Sequence, residues 1–191
     1  MRTLDYWPRR LALMAGILGL ALAPRLSAQD TVEDIVNYLR YSPLLASSGQ
    51  PTAAQLGAVA DDGVQRVVYL AFSDHETSLP KEDRIARDLG LRFYQLPVIW
   101  EAPGVEDFRA FVALLQGSPN DKTLVHCQIN WRASSFVFLY RVIVDNVPID
   151  DAYLDMAQVW TPNATWQQFM ADVLKAYDRP SECELCEGWQ H

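Results

Sequence analysis

The stretch from Lys122 to Val144 constrains this chain more than any other. Lys122-Thr123-Leu124-Val125-His126 reads as a buried strand, and Phe136 to Val144 is apolar at every position except Arg141. A helix apolar almost all round cannot lie on a surface and must be covered on more than one side. Between the two runs stands only a short loop with Cys127 at its start and Arg132 near its end. A strand feeding a buried helix across so few residues belongs to a layered α/β architecture.

The rest of the chain extends that pattern. Val64 to Phe72 and Leu91 to Ile99 are β-branched and aromatic runs that predict two further strands. Val32, Ile35, Val36 and Leu39 recur at helical spacing and predict a helix over 31–39. Ser47-Ser48-Gly49-Gln50-Pro51 reads as a turn-rich junction, after which Thr52 caps a helix through Val59 that Asp61-Asp62-Gly63 ends. Residues 73–81 form a polar loop, and Glu82 to Leu89 a helix stopped by Gly90. Pro103-Gly104 opens a helix with Val105, Phe108, Phe111, Val112 and Leu115 on one face. Two more helices are expected over 149–159 and 165–177. Single helices between strands predict an α/β fold with a central, mostly parallel sheet flanked by helices.

Residues 1–28 are expected to lie outside the domain. Arg2, Arg9 and Arg10 precede an uncharged apolar run from Leu11 to Ala23, and Leu26-Ser27-Ala28 supplies a small-residue cleavage site. That order is the layout of a secretory signal peptide, and the apolar run is shorter than the roughly 20 residues of a membrane span. A domain over 29–178 and a tail over 179–191 follow; the tail lacks periodicity and reads as a mobile terminus. The expected location is periplasmic or secreted. Residues 1–28 carry four Arg and one Asp, so of 16 basic and 24 acidic residues 12 and 23 remain, a formal charge of −11. So acidic a chain repels polyanions, which argues against nucleic acid and anionic membrane surfaces as partners.

Of the three cysteines, Cys183 and Cys186 are close enough in sequence for a local disulfide, with a redox or metal motif disfavoured by the flanking acidic residues. Cys127 is then the free thiol. At the carboxyl end of a strand and the start of a helix it lies where free N–H groups and the positive dipole end stabilise an anion. Arg132 brings a planar fork of donors to the same place, suited to two oxygens of a phosphate. A nucleophile, backbone donors from Gln128, Ile129, Asn130 and Trp131, and a guanidinium together suit attack on a phosphate monoester.

The stretch His126-Cys127-Gln128-Ile129-Asn130-Trp131-Arg132 resembles the signature loop of the protein tyrosine and dual-specificity phosphatases, in a bacterial exported branch with a shortened Cys-x4-Arg loop. The resemblance extends through Ser48-Gly49-Gln50-Pro51, Leu96-Pro97-Val98-Ile99-Trp100-Glu101 and Val159-Trp160-Thr161-Pro162-Asn163. It implies a cysteine-phosphatase-like fold and a thiophosphate intermediate on Cys127, with Arg132 holding the equatorial oxygens and no metal or cofactor. His126 would support the loop's shape, and Glu101, at the end of a strand, is the first candidate for the general acid. Asp107 is its rival, and Asp74, His75 and Glu76 lie in a loop at the same sheet edge. The implied partner is a phosphorylated small molecule or phosphoprotein.

The sequence departs from that family in three places. Four residues rather than five separate Cys127 from Arg132, no glycine lies in the loop, and Ala133 replaces the hydroxyl that often follows the Arg. Asn130 is the loop residue best able to take a positive φ, and Ser134 is the nearest hydroxyl. Two other functions share the motif: an oxyanion-binding pseudophosphatase with little turnover, and a rhodanese-like sulfurtransferase. Trp131 suits either the substrate entrance or packing over the loop, whereas Trp100 and Trp160 read as packing.

Overall fold

The computed structural model describes residues 30–181 and 183–186; the expected signal peptide lies outside them. Five strands form one sheet in the order β1-β2-β5-β3-β4. These are β1 (Leu39–Ser42), β2 (Leu45–Ser48), β3 (Arg66–Tyr69), β4 (Arg92–Gln95) and β5 (Thr123–His126). All neighbours run parallel except β1, which is antiparallel to β2. The fold is therefore the expected α/β sheet, mostly parallel and flanked by helices.

Successive side chains of a strand face opposite sides, so each rung of the sheet feeds one layer. Ala46, Leu124 and Val67 lie side by side across β2, β5 and β3. They pack with Leu56 and Val59 of α1 (Ala53–Asp61) and Ala86 of α2 (Glu82–Asp88). The next rung, Ser47, Val125 and Val68, turns to the other face. There Val68 and Val125 join the larger core of α3 (Val105–Gln116), α4 (Trp131–Ile143), α5 (Ile149–Ala157) and α6 (Ala164–Ala176). Phe108, Phe111, Phe136, Met156 and Trp166 are fully buried in it. Each such side chain stabilises the fold by roughly 1.5–3 kcal/mol. The apolar run of α4 is explained: it packs on β2 and β5 while α3, α5 and α6 cover its remaining faces.

The amino-terminal part differs from expectation. No helix spans 31–39. Val32–Asp34 forms a single 3-10 turn, Asn37 takes φ 50, and Leu39 already belongs to β1. Val32 and Ile35 do bury, but beneath α1 and not along a helix face. The supposed junction at Ser47-Ser48 is the end of β2, fully buried between β1 and β5. Small polar residues suit that strand because α4 crosses it closely; Tyr41 Oη and Ser47 Oγ share a hydrogen bond of 2.8 Å. The remaining elements form where expected, with Thr52 accepting from Gln55 N at 3.2 Å as the cap of α1. The helix after the loop starts earlier than its apolar run, at Trp131. The described part of the tail is not free. Cys183 and Cys186 form a disulfide and pack against the large core.

Gly49, just after β2, is where the chain passes closest to the loop. A Cβ there would lie 2.9 Å from the Gln128 carbonyl oxygen and 3.0 Å from Val36. Gly49→Ala should therefore lower unfolding stability by about 1–3 kcal/mol, measured by urea denaturation.

Candidate active site

β5 is flanked by β2 and β3, so its carboxyl end opens at the middle of the sheet edge. Cys127 follows it directly, its N–H donating to Ser48 O at 3.3 Å. From there the loop is held by the segment around β2. Gln50 N donates to Gln128 O at 3.0 Å, and Asn37 Nδ2 to Ile129 O at 2.9 Å. Asn130 returns the contact, its Nδ2 donating to Asn37 O at 2.6 Å. Asn130 takes φ 72 at the N-cap position of α4, without a side-chain hydrogen bond to the helix. The loop thus turns through an asparagine where a glycine would be easiest.

With both carbonyls directed to these outside donors, the loop's amides are left over. Among the described residues, no protein acceptor takes the N–H groups of Gln128, Ile129, Trp131 or Arg132, whereas Asn130 belongs to the antiparallel bridge that pairs Ile129 with Gly49. Consecutive free amides at a helix start form a concave anion cradle. They border a cavity of about 590 Å³ lined by Cys127, Gln128, Ile129, Trp131, Arg132 and Glu101, among others.

Arg132 is braced rather than loose. Its Nε donates to Val98 O at 3.0 Å, its Nη1 to Gln128 Oε1 at 2.6 Å, and its Cζ lies 5.1 Å from the Trp100 ring centre. Nη2 has no partner among the described residues. Cys127 is 1% exposed, yet it lines the same cavity as Arg132. Glu101 is exposed at the cavity wall. Asp107 is turned to its own helix, its Oδ2 accepting from Gly104 N at 2.9 Å. His75 and Thr77 reach the cavity, whereas Asp74 and Glu76 are not among its lining residues. Ser134 is buried and donates to Trp131 O at 3.2 Å, so its hydroxyl is spent inside α4.

The tryptophans do both of the things weighed for them. Trp131 and Trp100 line the cavity, and Trp131 stacks on Trp160 with ring centres 5.0 Å apart and planes 7° from parallel. Trp100, read from sequence as packing, is also a wall of the site; Trp166 Nε1 donates to its carbonyl at 3.1 Å. Phe72, Ile99 and Ile129 are 40%, 53% and 41% exposed and complete an apolar lining.

Asn37 and Glu82 escaped the sequence reading as site residues, and Gly49 and Gln50 entered it only within a resemblance motif, without a role. Asn37, Gly49 and Gln50 lie in or beside a segment misread as helix and turn, so no strand register pointed to the loop. Glu82 entered the reading only as the first residue of a helix. It is instead 5% exposed, with Oε1 3.3 Å from Nε2 of the wholly buried His126. Burial pushes His126 down to about 3 and Glu82 up to about 7. His126 also stacks on Tyr69, ring centres 4.7 Å apart.

No protein-family model and no curated protein sequence matches this chain. Solved structures do. A "Putative phosphatase (DUF442)" from Shewanella putrefaciens CN-32 shares 28% identity over 76% of this chain and 96% of its own, with a TM-score of 0.70. PTPMT1 in complex with PI(5)P shares 15% over 74% and 96%, TM-score 0.64. TpbA of P. aeruginosa shares 20% over 72% and 84%, TM-score 0.59. The fold is that of the cysteine phosphatases. The last two likenesses speak to the fold alone.

Two outcomes follow. Asn130→Ala should lower stability by about 1–2 kcal/mol in urea denaturation and Asn130→Gly by less, since only the first forces a Cβ into a left-handed backbone. For the buried pair, His126 stabilises the fold above its ordinary 6.5 and loses that as pH falls toward about 3. Glu82 stabilises it below its ordinary 4.5 and loses that as pH rises through about 7. Between 4.5 and 6.5 the folded pair holds one proton on Glu82 and the unfolded chain holds one on His126, so the two slopes cancel. Glu82→Gln removes one of them. Its stability relative to wild type should fall as pH drops from 6.5 to 4.5, and a constant difference would refute the proton assignment.

Proposed function

We propose that this protein is a cysteine-dependent phosphatase acting on phosphate monoesters. The amides of Gln128, Ile129, Trp131 and Arg132, left without a protein acceptor among the described residues and belonging to residues that line one cavity with Cys127, carry the reading. The fold shared with phosphatases supports it, as does the description of the Shewanella protein.

In this reading the Cys127 thiolate attacks phosphorus in line with the ester oxygen. An S–P bond forms as the P–O bond breaks, and the departing oxygen takes a proton from Glu101. The Arg132 guanidinium and the loop amides hold the three equatorial oxygens, whose charge grows in the transition state. Water then attacks the thiophosphate, giving its proton to the Glu101 carboxylate, and the thiolate leaves. Nη2 of Arg132, without a partner among the described residues, is available to an oxygen at once; Nη1 requires Gln128 to yield or to share.

The walls select the substrate. Phe72, Ile99, Trp100, Ile129 and Trp131 offer apolar surface, and Arg132 is the one Arg or Lys among the cavity's lining residues. A single phosphate on an aromatic group, phosphotyrosine among them, fits better than a multiply phosphorylated headgroup. The acidic chain argues the same way. Cleavage after Ala28 and a periplasmic or secreted location complete the proposal.

The experiment is phosphate release from p-nitrophenyl phosphate by the purified protein. Wild type should turn over and Cys127→Ser should not. Glu101→Gln should slow release by about 10²–10⁴-fold for substrates with poor leaving groups. A wild type without turnover from acid to alkaline pH would sink the reading.

A further inference from the structure

Glu82 has no part in the reaction just described, yet it is one of the least comfortable groups in the molecule. A carboxyl loses several kcal/mol of hydration on burial unless it is paired or neutralised. It begins a helix, but its carboxyl faces His126 on β5 and takes a hydrogen bond from Gln50 Nε2 at 3.0 Å. Tyr69 of β3 approaches the same place; Lys81 and Asp83, beside it in sequence, line with it a second cavity of about 440 Å³ through which protons can reach it.

The contacts of this carboxyl bracket the nucleophile. His126 is the residue before Cys127. Gln50, which donates its side chain to Glu82, donates its backbone N–H to Gln128, the residue after Cys127. His126 is wholly buried and neutral, so one ring nitrogen carries the hydrogen. Its Nε2 lies 3.3 Å from Glu82 Oε1 without hydrogen-bond geometry, and neither ring nitrogen has a hydrogen-bond partner among the described residues. A charge on Glu82 therefore acts directly on the ring that adjoins the sulfur's backbone.

We propose that Glu82 is a positioning residue for Cys127, setting through His126 and Gln50 how readily the sulfur ionises. The inference rests on the reading of Cys127 as nucleophile. Ionised Glu82 adds negative charge behind the loop, which opposes the thiolate. Neutral Glu82 removes it.

The test is the pH dependence of Cys127 alkylation by iodoacetamide, which reads thiolate whether or not the protein turns over. Cys183 and Cys186 are tied in a disulfide, so Cys127 is the thiol that reacts. Glu82→Gln keeps the shape and cannot ionise. It should lower the midpoint by about half a unit or more, about threefold in thiolate fraction. His126→Asn should remove most of the further effect of Glu82→Gln, as coupled residues do in a double-mutant cycle. Should Glu82→Gln not fold, Gln50→Leu withdraws the hydrogen bond that favours ionised Glu82 and should shift the midpoint the same way by less. A profile superimposable on wild type overturns the proposal, and so does a shift undiminished in the His126→Asn background. Turnover without any shift refutes this coupling alone, whereas a shift without turnover refutes the phosphatase reading and leaves the coupling standing.

Discussion

The functional reading depends on how the loop after β5 disposes of its own carbonyls. A peptide group has a donor and an acceptor on opposite sides, so fixing the carbonyl fixes the amide. Gln50 N and Asn37 Nδ2 hold the carbonyls of Gln128 and Ile129 to the β2 side. The Ile129 amide then has to turn the other way, and among the described residues no protein group accepts from it. Asn130 makes the geometry possible by taking a left-handed backbone and fastening its own side chain to Asn37. A polar cradle built this way is rigid before any anion arrives, the condition under which fixed dipoles stabilise developing charge most effectively.

The guanidinium is supported on three sides. Arg132 sits in the first turn of α4, and its reach is set by Val98 O on one side, Gln128 Oε1 on another and the face of Trp100 beneath. Trp100 is in turn held by Trp131, Trp160 and Trp166. The tryptophan cluster that walls the site therefore also positions its cation. An aromatic wall with two such duties couples the specificity of the cavity to the placement of its charge.

Below the loop the molecule trades stability for control. Tyr69, Glu82 and His126 meet where a pair of aliphatic residues would pack at lower cost. The polar cluster survives because it is divided among β3, α2 and β5, each anchored independently by the two apolar layers of the sheet. Any rearrangement in it is transmitted to the residues on either side of Cys127.

The chain's local chemistry determined a good deal by itself. The alternation of apolar runs announced a parallel sheet, the apolar run of Phe136 to Val144 announced a covered helix, and the spacing of Cys127, Asn130 and Arg132 announced an anion loop with Asn130 at its turn. These are short-range consequences of strand and helix periods and of which residues tolerate positive φ. The hairpin of β1 and β2 was hidden, because Leu45–Ser48 owes its place to pairing with β5 and to the close passage of α4, not to β-propensity. With it were hidden the contacts of Asn37, Gly49 and Gln50 with the loop. Glu82 and Trp100 were visible as residues but not as neighbours of the site, since partners 32 to 44 positions apart become adjacent only when the sheet orders its strands. What the residues are was written locally; which of them face one another was decided by long-range pairing.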